Sequence, residues 1–460
     1  MAGKPKHYDV IVIGSGAGAA IVDAALAEGL HVALVDKGPL GGTCLNVGCI
    51  PSKMVIEPAD RVMELREARK LGVTAEITHI DFAGIMARTR QSVAASVAEI
   101  RAGMKLAQNL DFYEAEGHFV DEYVLEVAGQ RIHGDKIFIA SGARPLMPPV
   151  RGLQDIAYLT NDNIWALEKL PASLIILGGG YIAAEFAHFF SAMGSQVTIL
   201  GRNDRLLPAE EPEISDLLQR KMSERMTVFT HMEALEARPA DAGCTIIARD
   251  THSGQRSEFS AERVLVAVGR KSNADLLQVE KAGIETDARG YIKVTPALET
   301  NKKNIWAFGD AIGRYMYRHM ANEEAQLAWH NAFHGHQDMM DYTAVPHAVF
   351  TYPQVAAVGL GEAEARKYHD ILIGVARYSD VAKGEAMLET DAFVKIIMEK
   401  KSNKILGCHI IGPQASVLIQ EVIDIMALKG EAGHLFQGIH IHPALSEVIL
   451  RAFGHLHEPQ

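Results

Sequence analysis

Two segments of this chain share one plan, and that plan leaves few folds open. Tyr8 to Ile13 is an apolar run ending in Gly14-Ser15-Gly16-Ala17-Gly18-Ala19. Ser173 to Leu177 is a second, ending in Gly178-Gly179-Gly180-Tyr181-Ile182-Ala183. Each is followed by a helix-like stretch and another apolar strand, His31 to Val35 in the first unit and Gln196 to Leu200 in the second. Strand, Gly-x-Gly-x-x-Ala turn, helix and parallel strand make the unit that seats a dinucleotide pyrophosphate on a helix N-terminus. One such copy is a weak signal. Two in context predict an α/β chain with two dinucleotide sites, and 460 residues leave room for a third domain.

The two units differ at the end of the second strand. In the first, Gly14 and Gly16 let the backbone approach a pyrophosphate, and Asp36 stands where a carboxylate accepts hydrogen bonds from free ribose hydroxyls. That suits the adenosine half of FAD or NAD. In the second, Gly178 and Gly180 keep the turn, but the chain then reads Leu200-Gly201-Arg202-Asn203-Asp204-Arg205. A carboxylate repels a 2′-phosphate and an arginine pairs with it, so Arg202 and Arg205 predict NADP(H) favoured over NAD(H).

Between the two units lies Gly41-Gly42-Thr43-Cys44-Leu45-Asn46-Val47-Gly48-Cys49-Ile50-Pro51-Ser52-Lys53. On an ideal helix, Cα atoms at this spacing are roughly 8–9 Å apart, whereas a disulfide wants no more than about 6.8 Å. If Cys44 and Cys49 pair, the first helical turn is distorted, with Gly48 supplying the freedom. A helix N-terminus also stabilises a thiolate. Lys53 falls one turn after Cys49 on the same face. A lysine there stabilises negative charge developing on a neighbouring ring, and Glu185 is a candidate to hold it. Cys244 and Cys408 read as ordinary small apolar residues.

His440-Ile441-His442-Pro443-Ala444-Leu445-Ser446-Glu447 is the last informative run. Pro443 suits the first turn of a helix, from which Glu447 can reach back to His442. Such a pair fixes the imidazole tautomer and raises its basicity, so it can take a proton from a thiol and return it. His440 reads as structural.

Elsewhere the pattern is coarser. Ile56 to about Leu110 reads as helical, and Val124–Val127 and Lys136–Ala140 as strands. Arg144 to Pro149 punctuates the chain. Val264 to Val268 is a strand ending at Gly269-Arg270, and Trp306-Ala307-Phe308 is another, closed by Gly309-Asp310. From about Pro346 onward, strands such as Ala392–Met398 and helices such as Ser416–Leu428 suggest a separate α+β domain. The net charge of −12, from 45 basic and 57 acidic residues, argues against nucleic acid as a partner. Four cysteines in the chain are not a secreted disulfide framework. The short N-terminal apolar run is no signal segment, and no long apolar run predicts a membrane span. A soluble cytoplasmic protein is expected.

Together, Gly41 to Lys53, the two fingerprints, Gly309-Asp310 and His442-Pro443-Ala444-Leu445-Ser446-Glu447 resemble the pyridine nucleotide–disulfide oxidoreductases along essentially the whole chain. The resemblance implies an α/β fold of two Rossmann-like domains, for FAD and NAD(P)H, plus a C-terminal α+β dimerisation domain. Their expected limits are 1–147, completed by 270–340, then 148–269 and 341–460. It implies a homodimer with a redox-active Cys44–Cys49 pair, Cys49 nearest the flavin and Cys44 exchanging with substrate. His442 and Glu447 would come from the partner subunit. Asp310 would bind the ribityl–pyrophosphate region of FAD and Tyr181 would lie over the nicotinamide pocket, with Lys53, Gly142, Gly178, Gly180, Glu185, Arg202, Arg205 and Gly269 as the other cofactor-binding candidates. The cysteine motif and the His-Pro ending resemble dihydrolipoamide dehydrogenases, which makes interconversion of a dithiol and a disulfide the leading expectation. The Tyr181 to Glu185 stretch, Arg202 and Ser272 to Leu277 are closer to NADPH-dependent reductases of small disulfides such as mycothione. The partner is then a small disulfide or dithiol, or a lipoyl-carrier protein. A flavin electron-transfer protein or diaphorase is a further alternative, and no metal site is expected.

Overall fold

The computed structural model of the chain describes residues 4–459. Met1 to Gly3, where the N-terminal reading begins, and Gln460 lie outside the described residues. Lys6–Ile13 is the centre of a seven-stranded sheet. Val32–Val35 runs parallel on one side of it and Gln130–Ile139 on the other. Leu110–Tyr113 extends the first edge, and Ile305–Ala307 returns from far along the chain to pair with Gln130–Ile139. Val10 to Ile13 are all buried, because helices Ala19–Ala27 and Arg318–Phe333 share their core. A parallel strand covered in this way reads as an unbroken apolar run.

The second fingerprint opens a five-stranded sheet that is parallel throughout: Thr227–Phe229, Gln196–Leu200, Ser173–Leu177, Arg263–Val266 and Tyr158–Leu159. Met232–Ala240, Gly243–Asp250 and Arg256–Ala261 add a three-stranded antiparallel sheet. The C-terminal part is a five-stranded antiparallel sheet, Pro346–Val349 to Val355–Gly359 to Ile405–Ile411 to Phe393–Glu399 to Ile371–Arg377. Helices Gln420–Ala427 and Glu447–Phe453 pack on it. The α/β class with two nucleotide-type sheets and a C-terminal α+β domain is as predicted.

One helix contact positions the chemistry. Tyr181–Met193, the helix of the second fingerprint, is buried from Ala183 to Met193. It packs on Cys49–Glu67, the helix begun by the second cysteine, and Val55, Ala59 and Val62 share a core with Ala183, Ala187 and Phe190. Each fully buried valine or phenylalanine there contributes on the order of 1.5–3 kcal/mol. A polar pair repeats along the contact, where His188 Nε2 lies 2.8 Å from Asp60 Oδ1.

The helical reading of 56–110 needs one correction. There are two helices, Cys49–Glu67 and Phe82–Leu106. Between them Gly72 turns left-handed at φ +82°, and an extended stretch leads to Asp81, whose carboxylate caps Gly84 N at 2.8 Å. Left-handed glycines and Asp N-caps are ordinary helix punctuation.

Candidate active site

Cys44 lies in a short helix, Gly42–Asn46, and Cys49 opens the next. The expected distortion of one first turn is instead a break between two helices. At the break Gly48 takes φ −124° and ψ −117°. A Cβ on Gly48 would stand 2.9 Å from the Thr43 carbonyl oxygen and 3.3 Å from Cys44 Cα. Only a residue without a side chain lets the second helix fold back this closely.

Both thiols are free, and one hydrogen bond joins them. The Cys49 S–H donates to Cys44, and this bond does most to hold the Cys44 thiol down at about 7, against its burial. The positive charges of Arg318 and Lys53 act in the same direction. The same bond, together with burial, pushes Cys49 up. A shared proton of this kind favours one sulfur of a reduced pair as thiolate, and the flanking cations make Cys44 the candidate. Arg318 was not nominated by the sequence. It begins helix Arg318–Phe333 and places Nη2 3.5 Å from the Gly16 carbonyl oxygen.

Lys53 and Glu185 meet where the two packed helices touch. Lys53 Nζ donates to both Glu185 oxygens, at 2.9 and 2.8 Å. The buried Glu185 also accepts the Phe350 N–H at 3.0 Å, and Lys53 Nζ lies 4.5 Å from the centre of the Phe350 ring. With the Ser52 hydroxyl oxygen 3.3 Å away, the ammonium is fixed from three sides.

These groups line a cavity of about 2160 Å³ that also contains Gly14, Gly16, Asp36, Gly142 and Asp310. Its walls fit FAD. Gly14 turns at φ +101°, and a Cβ there would lie 2.3 Å from the Ala140 carbonyl oxygen. A Cβ on Gly42 would lie 2.8 Å from Gly16 Cα, so the Cys44 helix rests directly on the pyrophosphate turn. At one end Asp36 is anchored by the N–H groups of Ser15, at 2.6 Å, and Gly38, at 2.7 Å. At the other, burial raises the Asp310 carboxyl, while Arg270 beside it at 3.3 Å lowers it. Arg270 is a second residue the sequence did not nominate, although it follows Gly269 at the end of a strand. Gly142 at φ +67° and Gly269 at φ +134° supply left-handed turns at adjoining strand ends.

In the second fingerprint, Gly178 sits at φ +125°, where a Cβ would meet the Ala267 carbonyl oxygen at 2.2 Å, and Gly180 caps the helix. Tyr181 begins that helix and reaches the same cavity. Burial, and then Asp310, pushes its phenol up to about 12. The two arginines are not equivalent. Arg205 Nε donates to Asp216 Oδ1 at 2.6 Å. Arg202 is exposed at the end of Gln196–Leu200.

His442 and Glu447 meet each other but do not line the cavity of their own chain. His442 Nδ1 lies 2.9 Å from Glu447 Oε1, and Glu447 Oε2 accepts the Ala444 N–H at 3.0 Å. These bonds, the Ala444 N–H first, hold the Glu447 carboxyl below its ordinary range. Pro443 is corrected: the helix starts at Glu447, so Pro443 stands in a turn before it, behind a cis peptide bond. Glu447 therefore reaches back from the helix start. His440 Nε2 pairs with Glu421 Oε2 at 2.9 Å.

The Pyridine nucleotide-disulphide oxidoreductase family matches residues 8–325, and its dimerisation domain matches residues 345–453. The chain belongs to this family. It is 36% identical over 460 residues to mycothione reductase of Mycobacterium tuberculosis H37Rv, covering 97% of this chain and 99% of that one. It is 35% identical over 452 residues to a dihydrolipoyl dehydrogenase of Bacillus subtilis strain 168, covering 96% and 97%. The structure of the HOCl-induced flavoprotein disulfide reductase RclA from Escherichia coli superposes with a TM-score of 0.86 at 27% identity, over 97% of this chain and 99% of that one. The family supports FAD as the cofactor of this oxidoreductase and a homodimer as its assembly. No helix among the described residues is long and apolar enough to cross a membrane.

Proposed function

We propose that this flavin oxidoreductase uses NADPH to reduce a small-molecule disulfide through Cys44 and Cys49. The observation that carries this reading is geometric: the helix break at Gly48 sets Cys44 and Cys49 together in the wall of the large cavity, with Arg318 and Lys53 lining it beside them, and those cations favour Cys44 as the attacking sulfur. FAD, when bound in the cavity, supplies two-electron transfer between the nicotinamide and the cysteine pair.

In the reduced pair, Cys44 Sγ attacks one sulfur of the substrate disulfide. A mixed disulfide forms, the substrate S–S bond breaks, and the departing thiolate takes a proton from His442 of the partner subunit. The imidazole then accepts the Cys49 proton. Cys49 attacks Cys44 Sγ, closing the intrachain disulfide and expelling the second thiolate, which is protonated in turn. Nδ1–H donates to Glu447, so Nε2 is the nitrogen that gives and takes the transferred proton. Lys53, held by Glu185, sets a fixed positive charge near both sulfurs. Cys44→Ser and Cys49→Ser should each abolish disulfide turnover and leave the yellow flavin bound. A colourless protein in both cases would make the pair structural.

NADPH follows from the exposed Arg202 and the missing carboxylate at that strand end. Measured kcat/KM should favour NADPH, and a clear preference for NADH overturns the assignment. A cytoplasmic location goes with this chemistry, since thiols are kept reduced there. A second reading runs the same parts backwards, oxidising a dihydrolipoamide, free or on a carrier protein. The similarity to dihydrolipoyl dehydrogenases supports it. Initial rates with mycothione, glutathione disulfide, lipoamide and dihydrolipoamide, each with both nicotinamide cofactors, separate the two.

A further inference from the structure

Three side chains from three different loops of the second fingerprint's domain converge away from the cysteines. Asp204 follows strand Gln196–Leu200, His231 joins Thr227–Phe229 to Met232–Ala240, and His252 lies in the turn after Gly243–Asp250. One ligand atom of each lies within 4.8 Å of the other two. From this convergence we propose that Asp204, His231 and His252 form a binding site for a divalent transition metal of the Zn²⁺ class.

His231 is the centre of the argument. It holds a left-handed backbone at φ +58°, unusual for a residue with a side chain. Two backbone bonds keep it there: its N–H donates to the Asn203 carbonyl at 3.0 Å, and its own carbonyl accepts the Thr251 N–H at 2.7 Å. His231 is therefore tied to the loops that carry both other ligands. Its Nδ1 is buried without a hydrogen-bond partner, although Asp204 Oδ1 stands 3.2 Å away, too poorly aligned to bond. A buried lone nitrogen costs free energy unless something meets it.

The His231 and His252 rings are 3.8 Å apart between centres, at 38°. Two imidazolium ions that close would repel, and two neutral rings offer lone pairs. A cation resolves both conditions. The backbone holds the His252 end as well, its N–H donating to Asp250 Oδ1 at 2.9 Å.

Two imidazoles and one carboxylate suit Zn²⁺, Co²⁺, Ni²⁺ or Cu²⁺ and not Mg²⁺ or Ca²⁺, which take oxygen donors. Zinc bonds of about 2.0–2.2 Å put tetrahedral ligands roughly 3.3 Å apart, a modest closure of the present triangle. A water would complete the coordination. Asp204 is two residues from Arg202, so a bound ion would also pin that loop.

The test is isothermal titration of Zn²⁺ into flavin-loaded, tag-free protein carrying Cys44→Ser and Cys49→Ser, so that the redox thiols bind no metal. One equivalent per chain is expected. His252→Ala or Asp204→Asn, both at exposed positions, should weaken it by more than the roughly 10–100-fold typical of losing an outer-sphere partner. His7→Ala, in the separate His7, His133 and Asp135 group, where His7 Nε2 already meets Asp135 Oδ1 at 2.8 Å, should leave the isotherm unchanged. Absence of binding up to millimolar Zn²⁺ overturns the site, as does binding that survives both His252→Ala and Asp204→Asn.

Discussion

Cys44 shows how its neighbours can single out one sulfur of a pair, Cys49 first and then Arg318 and Lys53. A thiol in this cavity is raised by burial, yet Cys44 is held at about 7 because Cys49 donates to it and two cations flank it. Below pH 7 Cys44 carries its proton and is a poor nucleophile, and above it the thiolate dominates. Iodoacetamide should therefore label the two-electron-reduced enzyme at Cys44, at a rate that rises through about pH 7 and then levels off, while Cys49 stays unlabelled. Arg318→Gln removes one of the two cations and should move that profile to higher pH, by less than the roughly 1–3 units a close ion pair gives. Peptide mapping of the alkylated chain checks both. Labelling first at Cys49, or a profile that Arg318→Gln leaves in place, contradicts the assignment of Cys44 as the nucleophile.

At the scale of elements, the break between Gly42–Asn46 and Cys49–Glu67 is what brings the two sulfurs together. Gly48→Ala puts a methyl 2.9 Å from the Thr43 carbonyl oxygen, and the helices must separate to admit it. A loss of about 1–3 kcal/mol of stability is expected from the overpacking. The reduced pair should also lose its shared proton, so that Cys44 alkylation at pH 7 slows. Thermal unfolding and the alkylation rate report the two effects independently. The helix break itself was only half legible in the sequence. The Gly48-Cys49 dipeptide announces freedom, but whether that freedom bends one helix or divides two depends on the Cys44 helix resting against Gly16, a contact between distant parts of the chain. Local signals were readable wherever chemistry and backbone coincide. The Gly14 and Gly178 turns show as Gly-x-Gly after an apolar strand, and Lys53 and Glu185 stand on helices whose faces could be counted. Arg318 and Arg270 could not be found that way, because an arginine among solvated arginines carries no mark until the fold sets it beside a thiol or a carboxyl. The sheet Met232–Ala261 was hidden for a related reason. Its outer strands mix buried and exposed residues without a regular apolar pattern, Pro239 interrupts the first, and Ile246-Ile247-Ala248 in the middle strand is too short a run to stand out. Pro443 misled because a proline at a helix start and one in a preceding turn look alike in a single sequence.

The whole molecule poses a question that one chain leaves open, since His442 stands outside its own cavity. The segment before it is apolar and uncovered: Phe436 is 55% exposed, Ile439 fully so, and Ile441 78%. Monomers rarely show such a stretch to water, and it lies within the matched dimerisation domain. If His442 serves the partner's cysteines, two inactive variants should rescue each other. Cys44→Ser breaks the site its own chain builds, and His442→Ala breaks the site its chain reaches into. Mixed at random, half the dimers contain one chain of each kind. In those dimers one site has lost both groups and the other has kept both, so about a quarter of wild-type disulfide turnover returns. If His442 instead acted on its own chain, every site in the mixture would lack one group, and activity would stay at the level of the separate variants. Flavin reduction by NADPH in His442→Ala alone should be nearly unchanged in stopped-flow traces if the imidazole handles the proton of the thiol exchange. Equal slowing of both half-reactions would place His442 in the scaffold.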